Sequence, residues 1–297
     1  MTIMDCRPFL AVGVSFLAAV LISFSRRYPN VRESWSVIAS FIKFGLIISM
    51  VPGVLAGVTY EWTLFQITDT IGFTLRADSA GILFACLAAL LWIPINFYSI
   101  GYMRCNNEHE QTGYFAAFAI CMSSVMGIAM ASNLLTFFFF YELLTIASYP
   151  LVLHKRNEEA LLASRKYLIY TLISGQLFLA GLVAVYCISG TMDFKAGGFL
   201  TTDMAPTWQL QLIFLIMILA GSVKAAVMPL HGWLPAAMIA PTPVSALLHA
   251  VAVVKTGVFA VLRIIGFVFG PKLLADIGTA DILAWFAAGS IIISSAG

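Results

Sequence analysis

Four ionisable side chains lie inside apolar stretches of this sequence, where a charge is costly. Glu142 follows TFFFFY, Lys224 lies in AGSVKAAVMPL, and His249 and Lys255 lie in SALLHAVAVVKTG. Burial disfavours the charged form of a lone carboxyl or amine, whereas a neighbouring opposite charge favours it. Histidine titrates near physiological pH. Ionisable residues at bilayer depth are by default candidates for an ion pathway, so proton transfer is the chemistry that these four residues could perform.

Prolines interrupt the sequence between Lys224 and His249. A proline removes a backbone donor and opens the helical ladder, and the polar backbone that is set free must be satisfied by protein or water. We therefore expect VMPLHGWLPAAMIAPTPV to be a discontinuous part of the seventh span, beside a hydrated cavity. The interrupting residues are Pro229, Pro235, Pro241 and Pro243.

Each candidate also has an explanation that involves no transport. Glu142 and His249 could each form only a hydrogen bond between helices. A long lysine stem could carry the charge of Lys224 to the headgroups, and we consider such snorkelling the better explanation for Lys43 and Arg263. For other polar residues we expect interfacial or solvated positions: His231, His154, His109, Trp233 and Trp208.

Lys255 lies farther from both helix ends, so for it we favour the functional role. It follows His249 by six residues, or about 240° around a helix of 3.6 residues per turn. The two side chains would not stack on one face unless the helix is distorted. Ser245 and His249 are four residues apart and share a face.

Transmembrane helices are the elements that must position these residues. The 297 residues are 61% hydrophobic and 10% charged, with a mean hydropathy of +0.96, values that a soluble domain would not show. A crossing helix needs about 20 apolar residues. We predict an all-α polytopic bundle of about nine spans: 8–25, 37–58, 79–100, 113–131, 133–153, 167–189, 209–228, 243–267 and 281 to the end.

Charge and cysteine usage exclude several classes of protein. The net charge of +2 is spread without a block of one sign, so we expect no nucleic-acid partner. The five cysteines show no CxxC or Cys/His spacing, which argues against a disulfide framework, a zinc site or an iron–sulfur cluster. We therefore expect no cofactor and no metal ion.

The loops indicate an orientation. Basic loops alternate with acidic or neutral ones, which predicts basic loops in the cytoplasm and the N-terminus outside. The loop with Arg104, Glu108 and Glu110 carries charges of both signs, so its charge does not indicate a side, although it falls on the predicted cytoplasmic side. The basic residues are Arg26, Arg27, Arg32, Lys155, Arg156, Arg165 and Lys166, and the acidic ones are Glu61, Asp69, Asp78, Asp193 and Asp203.

Three blocks of the chain resemble the antiporter-like subunits of Mrp-type Na+/H+ antiporters, respiratory complex I and membrane-bound hydrogenases. They are FFFFYELLTIASYPLV at 137–152, GSVKAAVMPLHGWLPAAMIAPTPVSALLH at 221–249 and VVKTGVFAVLR at 253–263. The resemblance implies a glutamate–lysine pair at Glu142 and Lys224, with His249 and Lys255 as relay groups. The eighth span carries both a histidine and a lysine, and in this respect the chain is more similar to the large A-type antiporter subunit than to the plain complex I subunits.

The same resemblance implies a fold of two inverted five-helix repeats, of which this chain would hold the first. We accordingly expect N-terminal helices over 1–112, a first repeat over 113–267 and the start of a second over 268–297, truncated within the ninth span. The expected partners are other membrane subunits of an antiporter or of a respiratory or hydrogenase complex, in the cell membrane.

The leading hypothesis is a subunit that translocates protons, or exchanges Na+ for H+. A non-pumping anchor of a redox complex is the alternative, and any NADH:quinone oxidoreductase activity would reside in partner subunits. A cytochrome b-like electron carrier is disfavoured, because bis-histidine haem ligation needs histidines on facing spans and His249 is the only deep one.

Overall fold

The apolar stretches form helices, and capping side chains fix the starts of three of the long ones among the described residues. The computed structural model describes residues 2–68 and 71–296. The Asn133 side chain accepts a hydrogen bond of 2.8 Å from the Thr136 N–H, and Asn157 caps the next long helix in the same way. Such caps satisfy backbone donors that the first helical turn leaves free.

The long helices follow the predicted order with shifted ends, and three strands that were not predicted accompany them. The N-terminal part consists of β1 Thr2–Met4, α1 Arg7–Phe24, α2 Pro29–Leu55, β2 Thr59–Thr68, β3 Ile71–Ala77 and α3 Ser79–Cys105. The central part consists of α4 Gln111–Ala129, α5 Leu134–Val152, α6 Glu158–Ser189 and α7 Thr207–Lys224. The last part consists of α8 Trp233–Ala237, α9 Thr242–Ala246, α10 Val253–Arg263, α11 Pro271–Asp276 and α12 Thr279–Ala296.

Within the described residues, eight helical segments are long and apolar enough to cross a membrane, the eighth running through Thr242–Phe269. A shorter apolar helix follows over Thr279–Ser295. The prediction of an all-α polytopic bundle with a discontinuous seventh helix is confirmed, since α7 ends at Lys224 and only short helical turns follow before α9.

A three-stranded sheet occupies the segment that the sequence analysis left between the second and third spans. β1 pairs with β2 in parallel, with Thr2 opposite Thr59. β2 pairs with β3 in antiparallel register, with Tyr60 opposite Ala77. The sheet ties the chain start to the connection between α2 and α3, at one end of the bundle.

Helix packing brings the loop after α3 and the loop after α5 together at the opposite end. The Arg104 guanidinium at the end of α3 pairs with Glu33 near the start of α2. The His109 ring, in the loop after α3, stacks on His154, just beyond α5, with ring centroids 4.8 Å apart. The loop after α3 therefore lies at the same end as the basic loops; Asp69 lies outside the described residues, and the cytoplasmic assignment stays a prediction.

Candidate functional site

The seventh span is interrupted at the lysine by a helix-ending motif. Ala226 adopts a left-handed conformation with φ of 55°. The Val227 N–H donates to the Ser222 carbonyl (3.0 Å), and the Ala226 N–H donates to the Val223 carbonyl (3.1 Å). This is the Schellman pattern, in which the last free carbonyls of a helix are satisfied by the residues that follow it. The chain thus turns away immediately after Lys224.

Lys224 is fully buried at this break. Its Nζ donates a hydrogen bond of 2.6 Å to the carbonyl of Tyr141 on α5. The same nitrogen lies 3.3 Å from the centroid of the Tyr141 ring, a cation–π arrangement. The ammonium therefore points into the bundle and does not snorkel.

Glu142 lies beside this lysine site, next to the carbonyl that the ammonium contacts. Its carboxylate packs against Gly175 on α6, where an added Cβ would come within 2.5 Å of the carboxyl carbon. Oε1 is buried and has no hydrogen-bond partner among the described residues. The charges of Glu142 and Lys224 act on each other electrostatically. They do not form an ion pair within 4.0 Å in the described part of the chain.

The other side of Glu142 faces an apolar groove of about 670 Å³ between α5 and the β2–β3 hairpin. Phe65, Phe73 and Phe138 are among the residues that line it. The carboxylate thus lies between an outward-facing groove and the buried lysine.

Neutral hydrogen bonds hold α5, α6 and α7 together around the pair. The Tyr141 hydroxyl lies 2.8 Å from the Ser174 hydroxyl, and both donate to the Ala220 carbonyl, at 3.2 and 2.7 Å. The indole N–H of Trp233 donates to the Val223 carbonyl at 2.8 Å. Trp233 is fully buried, so its prediction as an interface anchor is wrong, whereas Trp208 is exposed.

The eighth span is distorted where the predicted relay residues lie. The chain is π-helical over Leu247–Val251 and breaks at Ala252, with φ of −100° and ψ of −84°. His249 lies in the π-helical turn, partly buried, and its Nε2 has no hydrogen-bond partner among the described residues. The regular-helix angle between His249 and Lys255 therefore does not apply. Single π turns inside helices are frequent at functional sites.

Lys255 follows this break and is exposed on the outside of α10. The expectation that it lies inside the bundle with the other three residues is wrong for the helices of this chain. Within the described part of the chain, no hydrogen bond or ion pair joins Lys224 to His249 or Lys255. The structure therefore brings Glu142 and Lys224 together, while His249 and Lys255 form no hydrogen bond or ion pair with them among the described residues; the roles of all four stay predictions.

Lys43 is a second fully buried lysine, and its prediction as a snorkelling residue is wrong. Its Nζ donates to the Met122 carbonyl on α4 at 2.9 Å and lies 4.7 Å from the centroid of the Trp92 ring. The error came from the start of α2, at Pro29 rather than near residue 37. That start places Lys43 near the helix centre. A correct helix boundary would therefore have indicated that this lysine is buried.

Arg263 is also buried rather than snorkelling. Its guanidinium forms a two-pronged ion pair with Asp78 at the start of α3, at 2.5 and 2.9 Å. Three phenylalanine rings surround it, with centroids 4.5 to 5.1 Å from the guanidinium carbon. Asp78 also caps α3 by accepting from the Gly81 N–H. The pair fastens the eighth span to α3 and leaves no free charge for transport.

The bundle, the broken seventh helix and the buried lysine define a multi-pass membrane protein with an antiporter-like fold. The family described as NADH:quinone oxidoreductase/Mrp antiporter, TM, matches residues 131–297, more than half of the sequence. The chain belongs to this family.

Curated relatives agree with this family membership. The chain is 30% identical to the A-type Na+/H+ antiporter subunit of Alkalihalophilus pseudofirmus, over 84% of this chain and 31% of that relative. It is 25% identical to the D-type Na+/H+ antiporter subunit of Bacillus subtilis, over 95% of this chain and 56% of that relative. The chain thus spans about a third to a half of these relatives.

Solved structures show the same fold. The Mrp complex from Dietzia sp. DQ12-45-1b matches with a TM-score of 0.76 at 22% identity, over 86% of this chain and 28% of the matched chain. An archaeal membrane-bound sulfane sulfur reductase matches with a TM-score of 0.75 at 20% identity, over 88% of this chain and 53% of the matched chain. The predicted resemblance is confirmed.

Proposed function

We propose that this chain is a proton-translocating, or Na+/H+-exchanging, subunit of a multisubunit antiporter or of a complex I-like quinone oxidoreductase or hydrogenase. The observation that carries the proposal is the burial of Lys224 where α7 ends, beside the turn that bears Glu142. A buried ammonium without an ion-pair partner in contact is costly, and such residues mark ion pathways. The names of the relatives support the ion-transport class.

Glu142 adjusts how strongly Lys224 holds its proton. Two unit charges at 4 Å interact with about 4 kcal/mol at an effective dielectric constant of 20, and the interaction falls as they separate. Because about 1.4 kcal/mol changes a protonation equilibrium tenfold, a small movement of Glu142 is sufficient. When the carboxylate moves away or becomes protonated, the Lys224 ammonium releases its proton to water near the broken helix.

His249 is the next acceptor in this scheme, and Lys255 follows it. The imidazole takes the proton at its unpartnered Nε2. Lys255 then carries it to the lateral surface of α10, where neighbouring helices of the assembly would continue the path. In this proposal residues 113–267 form the first five-helix repeat, 1–112 the helices before it and 268–297 the start of the second. The basic loops face the cytoplasm of a cell membrane, and the N-terminus faces outside.

Proton flux into vesicles tests the role of Lys224. The complex that contains the chain is reconstituted, and pH-sensitive dye fluorescence is followed after a sodium gradient or an electron donor is supplied. We expect Lys224→Ala to abolish flux, whereas Lys155→Ala, an exposed lysine in a loop, leaves it unchanged. Unchanged flux in Lys224→Ala, with normal assembly, removes the proposal.

The non-pumping anchor is distinguished by measuring electron transfer and pumping in the same preparation. Glu142→Gln keeps the size of the side chain and removes its charge. Translocation predicts normal electron transfer with pumping lost, and Glu159→Gln, on the exposed first turn of α6, is the matched control. If Glu142→Gln changes neither activity, the anchor function is favoured instead.

A further inference from the structure

Two histidines and a glutamate meet at the end of the bundle that carries the basic loops. Glu108 and His109 belong to the loop between α3 and α4, and His154 lies two residues beyond α5. One ligand atom from each of the three side chains lies within 4.8 Å of the other two. The proposed ion pathway uses none of these three residues. The 44 residues between the two histidines hid the cluster from a search for short sequence spacings.

His154 supplies a second observation that points to a ligand. The residue is only 6% exposed, and its Nε2 has no hydrogen-bond partner among the described residues. This nitrogen lies 3.5 Å from Oε2 of Glu108. A buried polar atom without a hydrogen-bond partner is destabilising, so an imidazole nitrogen that faces a carboxylate without hydrogen-bonding to it is explained if a cation binds between the two groups.

We propose that Glu108, His109 and His154 bind a divalent transition-metal ion of the zinc type. Imidazole nitrogen suits zinc, copper and nickel, whereas magnesium and calcium take oxygen ligands, so the two histidines select the class of metal. Two histidines and one carboxylate leave the fourth tetrahedral position to water.

The separations are close to those of a metal site, but the His109 ring must also turn, because it stacks on His154 with the ring planes 16° apart and an imidazole binds a metal within its ring plane. Ligand atoms bonded at about 2.1 Å to a tetrahedral ion lie about 3.4 Å from one another. The His154–Glu108 separation of 3.5 Å already has this value. The widest separation, 4.8 Å, must shorten by roughly 1.4 Å, which rotation of the exposed His109 side chain can supply.

Charged neighbours of the cluster act on a bound cation in opposite directions. Arg156 lies close enough to act on His154 and disfavours added positive charge, whereas Glu108 acts in the opposite direction. The bound ion would join the loop before α4 to the loop after α5. The site therefore ties together the two ends of the hairpin formed by α4 and α5, and α5 carries Glu142.

Metal titration of the full chain, purified in detergent, tests the proposal. CoCl2 is the spectroscopic probe, and ZnCl2 is used to displace it. We expect one Co2+ per chain with the visible absorption of four-coordinate Co2+, displaced by Zn2+. We expect His109→Gln and His154→Gln each to weaken binding at least about tenfold, since even partners of metal ligands are worth 10–100-fold. Glu110→Gln, a neighbouring carboxylate outside the cluster, is the matched control and should bind as the wild type does.

Three outcomes overturn the site. They are no stoichiometric binding by the wild type, wild-type affinity in both histidine variants, and thiolate-to-Co2+ charge-transfer absorption, which would assign the ion to a cysteine such as exposed Cys105. His109 is exposed, so its variant remains informative if His154→Gln fails to fold. Proton flux is not the readout, so the result is independent of the proposed transport function.

Discussion

Gly257 offers a test of the helix break that changes no charge. This residue on α10 packs directly against the end of α7. A Cβ added at Gly257 would lie 2.2 Å from the backbone nitrogen of Ala225 and 2.6 Å from the Lys224 carbonyl carbon, whereas ordinary contacts are 3.4–4 Å. The obstacle is backbone, so no side chain can rotate away. Gly257→Ala must therefore push α10 from the break by roughly 1.2 Å, because protein interiors are close-packed.

Overpacking of this kind costs about 1–3 kcal/mol. If 1–2 kcal/mol of that cost falls on the working arrangement of Lys224, flux drops by a factor of about 5–30. The assay is proton flux in vesicles, with thermal unfolding in detergent measured on the same preparations. Gly113→Ala is the control, since an added Cβ there meets nothing within 4 Å. Gly257→Ala with normal flux and normal unfolding temperature would refute the idea that α10 fixes the position of Lys224.

Three further variants test the shell around the site. Gly175→Ala should displace the Glu142 carboxylate and reduce flux without altering any charge, and flux equal to that of Gly113→Ala would contradict this. Arg263→Met should lower the free energy of unfolding by about 3–5 kcal/mol because it leaves Asp78 unpaired, and adding Asp78→Asn should restore part of the loss, as measured by chemical denaturation. Trp233→Phe should cost about 1 kcal/mol through the lost hydrogen bond to Val223, and an unchanged denaturation midpoint would argue against that bond.

Helix existence was predictable from the sequence, because runs of apolar residues long enough to cross a bilayer have few other structures open to them. The hairpin of β2 and β3 was missed, although Thr59–Thr68 is rich in β-branched and aromatic residues that favour strands. An analysis that looks for long apolar runs treats such a short segment as a loop between two transmembrane helices. Its pairing also depends on β1, more than fifty residues earlier in the sequence.

Buried charges were harder to place than helices. Position along a span indicates the depth of Lys43 or Arg263, but not which neighbour the side chain faces. Lys43 contacts a carbonyl 79 residues away, and Arg263 contacts a carboxylate 185 residues away. Snorkelling was the reasonable expectation in the absence of these partners, and only tertiary packing shows that each cation is satisfied inside the bundle.

The two interrupted spans are in contact close to their breaks. The seventh ends at Lys224, and the eighth breaks at Ala252, five residues before the glycine that contacts Lys224 and Ala225. Five residues of helix rise about 7.5 Å, so the two breaks are separated by roughly one and a half turns along α10. Prolines announced the first break, whereas the second contains no proline and left no comparable signal in SALLHAVAVV. Protein groups satisfy the carbonyls at the end of α7, whereas the π-helical turn of the eighth span leaves the His249 Nε2 without a partner among the described residues, so the two breaks differ in how completely they are satisfied.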